Sequence, residues 1–317
     1  MGRLPLAHGG LTTVPIRDFI YAFHMPLFFI LSGVLYRQRS VKETFLKQWR
    51  MLLVPYFIIN IMALLYYLLY YMFFGGFDLL QFVNTRIVPV FLGLGYNVGE
   101  YKPVSTPTWF FIVLFFTLML MAICRSDRLK VIAVVACMLG SKILSWLHID
   151  TYVPFDSAML AFPFVAVGYF SQRFITPPSG DKGILLLRSQ ALLLPLMVVL
   201  LILLHIVNGR IDINLGKIGN SYILMYINGI LGSLMVMLVA MRFTSYSAIA
   251  SVLASGGMLV VGFNLFAIDY AKRLWKFMTG YQIDEMVGML LCIVILSAFY
   301  VVILFCKRYF KIILGYR

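Results

Sequence analysis

Four ionisable side chains stand inside otherwise apolar stretches of this sequence: His24, Lys142, Asp156 and His205. A charge in a bilayer core costs at least roughly 2.5–3.5 kcal/mol on insertion scales, so each of these needs a partner or a task. Histidine titrates near neutral pH, which makes His24 and His205 candidates for general-base work, with Asp156 or Lys142 orienting charge beside them. Structural roles compete. Lys142 can snorkel, Asp156 can cap a helix start, and His205 can sit among headgroups. His24 differs because Pro26 follows it, and a proline inside a helix leaves a backbone carbonyl free. Arg50, beside Trp49 and just ahead of an apolar run, offers a planar fork suited to phosphate. A cytoplasmic nucleotide-containing donor or a lipid headgroup would use it, and a plain positive-inside anchor is the competing reading.

Composition states what must position these groups. The chain has 317 residues, of which 62% are hydrophobic and 12% charged, against roughly 45–50% and 25% in soluble domains. Too little polar side chain is present to cover a water-soluble globule. The expectation is an all-α, polytopic integral membrane helical bundle in one domain, 1–317, multi-pass in a bacterial inner or cytoplasmic membrane. Spanning takes about 20 apolar residues, and nine stretches qualify: 19–37, 51–74, 107–124, 129–147, 152–171, 189–207, 220–241, 249–268 and 286–306. Residues 1–18 and 75–106 read as extracytoplasmic loops, the second holding an apolar segment, 87–94, too short to span. It fits a re-entrant or surface-lying segment, or a plain loop helix.

Basic residues set the orientation. Arg37, Arg39, Lys42, Lys47 and Arg50 follow the first stretch, Arg173, Lys182 and Arg188 the fifth, and Lys307, Arg308, Lys311 and Arg317 the last. The positive-inside rule then puts the N-terminus outside and the C-terminus in the cytoplasm. Lys272, Arg273 and Lys276 run against it. In this orientation His24, Lys142, Asp156 and His205 share one depth on the outer side. The net charge of +14 lies in short clusters between apolar runs and not on a soluble basic face, which excludes nucleic acid as a partner. Cys124, Cys137, Cys292 and Cys306 lack metal-ligand spacing, so no metal site is expected. Asn228 and Asn264 read as interhelical hydrogen-bonding amides, and the Ser255–Gly257 stretch as a close-packing site.

The segment FIYAFHMPLFFILSGVLYR, Phe19 to Arg37, resembles the second-helix signature of the membrane-bound acyltransferase family 3, in particular its fucose 4-O-acetylase-like branch. RMLLVPYF at Arg50 to Phe57, TPTWFFIVLFF at Thr106 to Phe116 and FDSAMLAFPFVAVGYF at Phe155 to Phe170 follow in that family's order. The resemblance covers roughly the first half of the chain. It implies an O-acyltransferase, with acetyl-CoA or another acyl-CoA as donor substrate on the cytoplasmic side and no bound cofactor. The implied acceptor is a sugar hydroxyl of an extracytoplasmic polysaccharide or glycolipid, approached among membrane lipids. By position, His24 matches the histidine of the second-helix motif, Arg50 the arginine of the next helix, and Trp109 an aromatic of the pattern, here grouped with Lys142 and His205 as substrate-binding candidates. His24, Arg50 and Asp156 form the catalytic set.

The family pattern is a ten-helix bundle whose first helix carries a basic residue and a histidine, and this chain has no candidate for that pair. The expectation is therefore either a mis-started or partial reading of a complete enzyme or a degenerate homologue. A transporter or flippase of glycan precursors is the alternative function, and it predicts internal repeats, which the sequence lacks. A catalytically inactive acyltransferase homologue is a further alternative.

Overall fold

A computed structural model describes residues 16–75, 78–147, 153–175, 194–242, 247–283 and 285–314. Among these, regular structure is helical and no strand occurs. The expected loop 1–18 and the basic residues Lys182, Arg188 and Arg317 lie wholly or mostly outside the described residues; residues 16–18 already belong to a helix. The helices are α1 (Ile16–Val34), α2 (Val41–Gln48), α3 (Val54–Phe74), α4 (Leu79–Phe82), α5 (Val88–Leu92), α6 (Trp109–Ile123) and α7 (Asp127–Trp146). There follow α8 (Phe155–Ile175), α9 (Leu194–Asn208), α10 (Tyr222–Arg242), α11 (Ala248–Ser255), α12 (Gly257–Thr279) and α13 (Glu285–Tyr309). Among the described residues, eight of the nine apolar stretches overlap one long helix each, and the stretch 249–268 is divided between α11 and α12. Five helices are long and apolar enough to cross a membrane, or six if the bent pair α11–α12 is one span; length and composition therefore do not establish nine. α1 and α9 are among the shorter apolar helices. The chain is a multi-pass helical membrane protein.

Two departures from the expected spans have local causes. The second helix begins at Val41, not at residue 51, because Ser40 and Glu43 form a capping box: each side chain bonds the other's backbone N–H at 3.2 Å. α2 then joins α3 through a one-turn π-segment, Trp49–Leu53. The expected straight span 249–268 is bent by 79° where α11 gives way to α12. Gly256 closes α11 there with φ −103° and ψ 14°, and a Cβ on it would strike the side chain of Ile303.

The chain divides into two compact units: Met1–Leu35, Val167–Ile213 and Lys217–Arg242 in the first, and Tyr36–Ala166, Asn214–Gly216 and Phe243–Arg317 in the second. In the first, α1 packs along α10. Ala22, Phe23, Phe29, Ile30 and Val34 are buried while Ile20, Tyr21 and Phe28 are exposed, the helical periodicity of one inward stripe. Glycines permit the approach. A Cβ on Gly232 of α10 would overlap Phe23, and one on Gly168 of α8 would overlap the Ile30 carbonyl. Gln172 Nε2 adds a 3.0 Å hydrogen bond to the Gly33 carbonyl.

The second unit is tied by buried polar bonds. Asn60 Nδ2 donates to Thr108 Oγ1 at 3.2 Å and to the Tyr56 carbonyl at 2.8 Å, and Thr108 Oγ1 donates to the Ser105 carbonyl at 2.7 Å. Ser105 Oγ donates to the Gly262 carbonyl of α12 at 2.8 Å, which the missing side chain of Gly262 leaves within reach beside Ile59. Tyr56 Oη donates to the Val90 carbonyl at 2.6 Å. That bond anchors α5, so the apolar segment 87–94 is a short helix closed by Gly93 at φ 72°.

Candidate functional site

In α1, His24 sits half-buried, one turn past its hydrogen-bond partner, the Ile20 carbonyl, at 3.3 Å from Nδ1. A carbonyl only accepts, so Nδ1 carries the proton and Nε2 keeps the lone pair of a base. The ring lies 4.6 Å from that of Tyr21. Two residues on, Pro26 lies inside α1 and has no N–H for the Ala22 carbonyl.

A second imidazole belongs to the same unit. His205 of α9 is 5% exposed, so it is a buried group and not one facing headgroups, and its ring meets the edge of Phe19 at 6.0 Å. Its Nδ1 has no hydrogen-bond partner among the described residues.

Asp212 acts electrostatically on His24, and Asp18 on His205. Arg210 links the two acids, with Nε 3.9 Å from Asp18 Oδ1 and Nη2 3.5 Å from Asp212 Oδ2. The Arg210 side chain is 40% exposed, so these pairs add little stability, about 0–1 kcal/mol each. They hold Arg210 between α1 and the loop that follows α9.

The loop that carries Arg210 and Asp212 is held by Asn208, the fully buried last residue of α9. Asn208 Nδ2 donates to the Ile218 carbonyl at 2.9 Å, its Oδ1 accepts from Ser221 N–H at 2.8 Å, and its carbonyl accepts from Asn220 N–H at 2.8 Å. Gly219 passes over it at φ 77°, where a Cβ would strike the Asn208 carbonyl. Ile211 and Ile213 are buried on either side of Asp212. Replacing Asn208 with Ala strips partners from two backbone groups, at about 1–3 kcal/mol each if they stay dry. We expect Asn208→Ala and Gly219→Ala both to lower the thermal midpoint in detergent, read by tryptophan fluorescence, and to reduce any activity of the His24 site in parallel.

Asn228 of α10 is fully buried, and neither atom of its amide has a hydrogen-bond partner among the described residues. The interhelical bond expected of it is absent there. Asn228 lies one turn before Gly232, so both share the face of α10 that meets Phe23. An unpartnered buried amide costs about 1–3 kcal/mol, which asks for a ligand or a task.

The remaining candidates belong to the second unit. Arg50 lies in the π-segment and is exposed, as are Arg37, Arg39, Lys42 and Lys47; among these, Arg39 and Arg37 both repel the Lys47 ammonium. Such a run of cations suits a polyanion. Asp156, in the first turn of α8, accepts from Ser157 N–H at 2.7 Å. Lys142 is exposed one turn before Trp146, itself 78% exposed, an arrangement suited to snorkelling. Trp109 is 6% exposed and covers Gly95, where a Cβ would overlap its Cβ and Cγ. Of the six candidates, His24 and His205 share one unit, and Arg50, Trp109, Lys142 and Asp156 the other.

Sequence reasoning missed Asp18, Arg210 and Asp212 as site residues. Asp18 is read there as the end of a loop, whereas it lies in the first turn of α1. The available signal was an Arg-x-Asp pair, Arg210 and Asp212, directly after a buried histidine helix.

A family model described as an acyltransferase domain, acyltransferase family 3, matches residues 2–307. The match extends well beyond the half of the chain in which motifs are legible. No curated protein and no solved structure matches the chain.

Proposed function

The chain belongs to acyltransferase family 3 and is a membrane acyltransferase; from that premise we propose that it moves an acyl group, in the first instance acetyl from acetyl-CoA, onto a sugar hydroxyl of a cell-envelope polysaccharide or glycolipid. The observation that carries this reading is the His24 hydrogen bond to the Ile20 carbonyl, which holds Nε2 as the basic nitrogen of the ring. His24 Nε2 takes the proton of the acceptor hydroxyl, and the hydroxyl oxygen attacks the thioester carbonyl carbon. The new C–O bond forms, the C–S bond breaks, and the leaving thiolate recovers the proton from the imidazolium. Asp212 offsets the positive charge that develops on His24, and the Asn228 amide donates to the carbonyl oxygen as it becomes an oxyanion. We assign the donor's phosphates to Arg50, on the side expected to be cytoplasmic.

Membranes bearing the chain, acetyl-CoA labelled in the acetyl group and a panel of extracellular glycans test the reading, with base-labile label on sugar as the readout. Arg50→Ala removes a charged donor worth about 1.5–3 kcal/mol, so we expect KM for acetyl-CoA to rise roughly 10- to 100-fold, with Arg50→Lys intermediate. Equal KM values in all three proteins would remove Arg50 from the donor site. Absence of label transfer from every preparation would favour the transporter alternative.

A further inference from the structure

The second unit contains a cavity of about 220 Å³ that the acyl-transfer chemistry does not use. Its wall is a helical pattern. α3 contributes Tyr66 and Tyr67, and one turn later Tyr70 and Tyr71, while α12 contributes Phe266 and Tyr270, also one turn apart. Phe266 meets the edge of Tyr66 at 5.8 Å. Arg86, from the π-helical turn Val83–Ile87 between α4 and α5, closes one side: its guanidinium lies 4.3 Å from the centroid of Tyr67. Its Nη2 donates to Tyr71 Oη at 3.2 Å, and its Nη1 donates to the Lys102 carbonyl at 3.2 Å. Asp269 and Arg273 of α12 complete the lining.

Interfacial tyrosines are common in membrane proteins, but a plain aromatic belt faces lipid. Here the rings line a concavity and one carries a guanidinium locked by three contacts, a preorganised arrangement. The volume falls below the roughly 300–1,000 Å³ of sites that enclose drug-sized ligands. It takes a single ring and excludes a whole acyl-CoA. Aromatic faces are electron-rich and attract the electropositive C–H face of a pyranose, and tyrosine hydroxyls and a carboxylate suit its hydroxyl groups. Two arginines against one aspartate leave a cationic excess, which Lys272 and Lys276 on α12 extend. Those lysines and Arg273 are the residues that run against the positive-inside rule, and a ligand for them gives that placement a reason. Guanidinium groups pair bidentately with carboxylate or phosphate. A lipid headgroup would use the charges and leave the ring-sized aromatic concavity without a role.

We propose that this cavity is a recognition subsite for one saccharide residue of the acceptor that carries an anionic substituent, a carboxylate or a phosphate. Its use as an acceptor subsite rests on the acyltransferase reading, whereas binding itself is measured without turnover. The experiment uses the full chain in phosphatidylcholine nanodiscs and calorimetric titration with hyaluronan tetrasaccharide, phosphorylated mannopentaose and neutral chitotetraose. Arg273→Gln and Tyr70→Ala are run in parallel, each checked for an unchanged thermal midpoint, and a label-transfer assay accompanies them.

We expect at least one anionic oligosaccharide to bind about tenfold more tightly than the neutral one, and each variant to lose about tenfold of that affinity. Preference for the uronate or for the phosphate probe identifies the substituent. Equal binding of neutral and anionic probes, no binding of any, or affinities untouched by both variants would overturn the proposal. So would loss of binding when phosphatidylglycerol is added to the disc, which would mark a lipid site. Label transfer by the wild-type chain without saccharide binding sinks this subsite alone. Saccharide binding without label transfer on any glycan sinks the acyltransferase reading and leaves a saccharide site.

Discussion

Replacing His24 with Ala should lower acetyl transfer to glycan by about 10²- to 10⁴-fold, the usual contribution of a positioned general base, while the protein still folds. The second half of that expectation follows from the side chain's surroundings. The ring is half-buried, and its hydrogen bond is to Ile20 of its own helix, so removal orphans no partner from another element. His24→Gln keeps a polar group of similar reach but no base, and it should be nearly as inactive as His24→Ala. Added imidazole should restore part of the His24→Ala rate. A variant that transfers label at the wild-type rate would reduce His24 to a packing histidine.

Asn228→Leu supplies an independent readout. It removes a buried amide without hydrogen-bond partners among the described residues and fills similar volume, so the thermal midpoint should rise while transfer falls. Such an exchange of stability for activity marks a group retained for function. His205→Ala should do the opposite to stability, because it empties a buried site against Phe19.

Gly168→Ala should be the most damaging single methyl in the first unit. The added Cβ would sit on the Ile30 carbonyl oxygen, and its nearest neighbours are all backbone atoms of Ile30. No rotamer change relieves that contact, so α8 must move off α1 at a cost of about 1–3 kcal/mol or more. Expression in membranes and the melting midpoint in detergent should both fall, and transfer should fall with them because α1 carries His24. The same substitution at Gly288 is the control. There the Cβ meets only Ile283 Cγ2 at 3.6 Å, ordinary contact, inside α13. Alanine is favoured over glycine in a helix interior by up to about 1 kcal/mol, so Gly288→Ala should leave stability unchanged or raise it. Equal destabilisation by both would show that backbone clash is not what Gly168 avoids.

Hydropathy and helical period are local properties, and what depends on them was legible in the residues. The membrane setting, the all-helical class and helical structure along the apolar stretches follow from runs of about 20 apolar side chains. The FHMPLFF string marked the family and singled out His24 before any contact was known. Where the chain had to choose between two local solutions, the outcome turned on particular residues. Ser40 and Glu43 started a helix ten residues ahead of the apolar run through their capping box, and Gly256 broke a span that hydropathy leaves continuous.

The candidate site itself is a matter of packing. Asp18 and Arg210 are remote in sequence, and only the approach of α1 to α10, allowed by Gly232, and the Asn208 clamp on the following loop bring their charges together. Trp109 was an aromatic of the family pattern until Gly95 put its ring in the core of the second unit. Asn228 read as an ordinary interhelical amide until its atoms were found without partners. The tyrosines of α3 and the arginines at 86 and 273 carry no common motif, because the helices that align them are joined by polar bonds through Asn60, Thr108, Ser105 and Gly262. A side chain's neighbours across an interface depend on where small residues let backbones close and where buried polar groups insist on a partner, and neither is encoded at any fixed spacing.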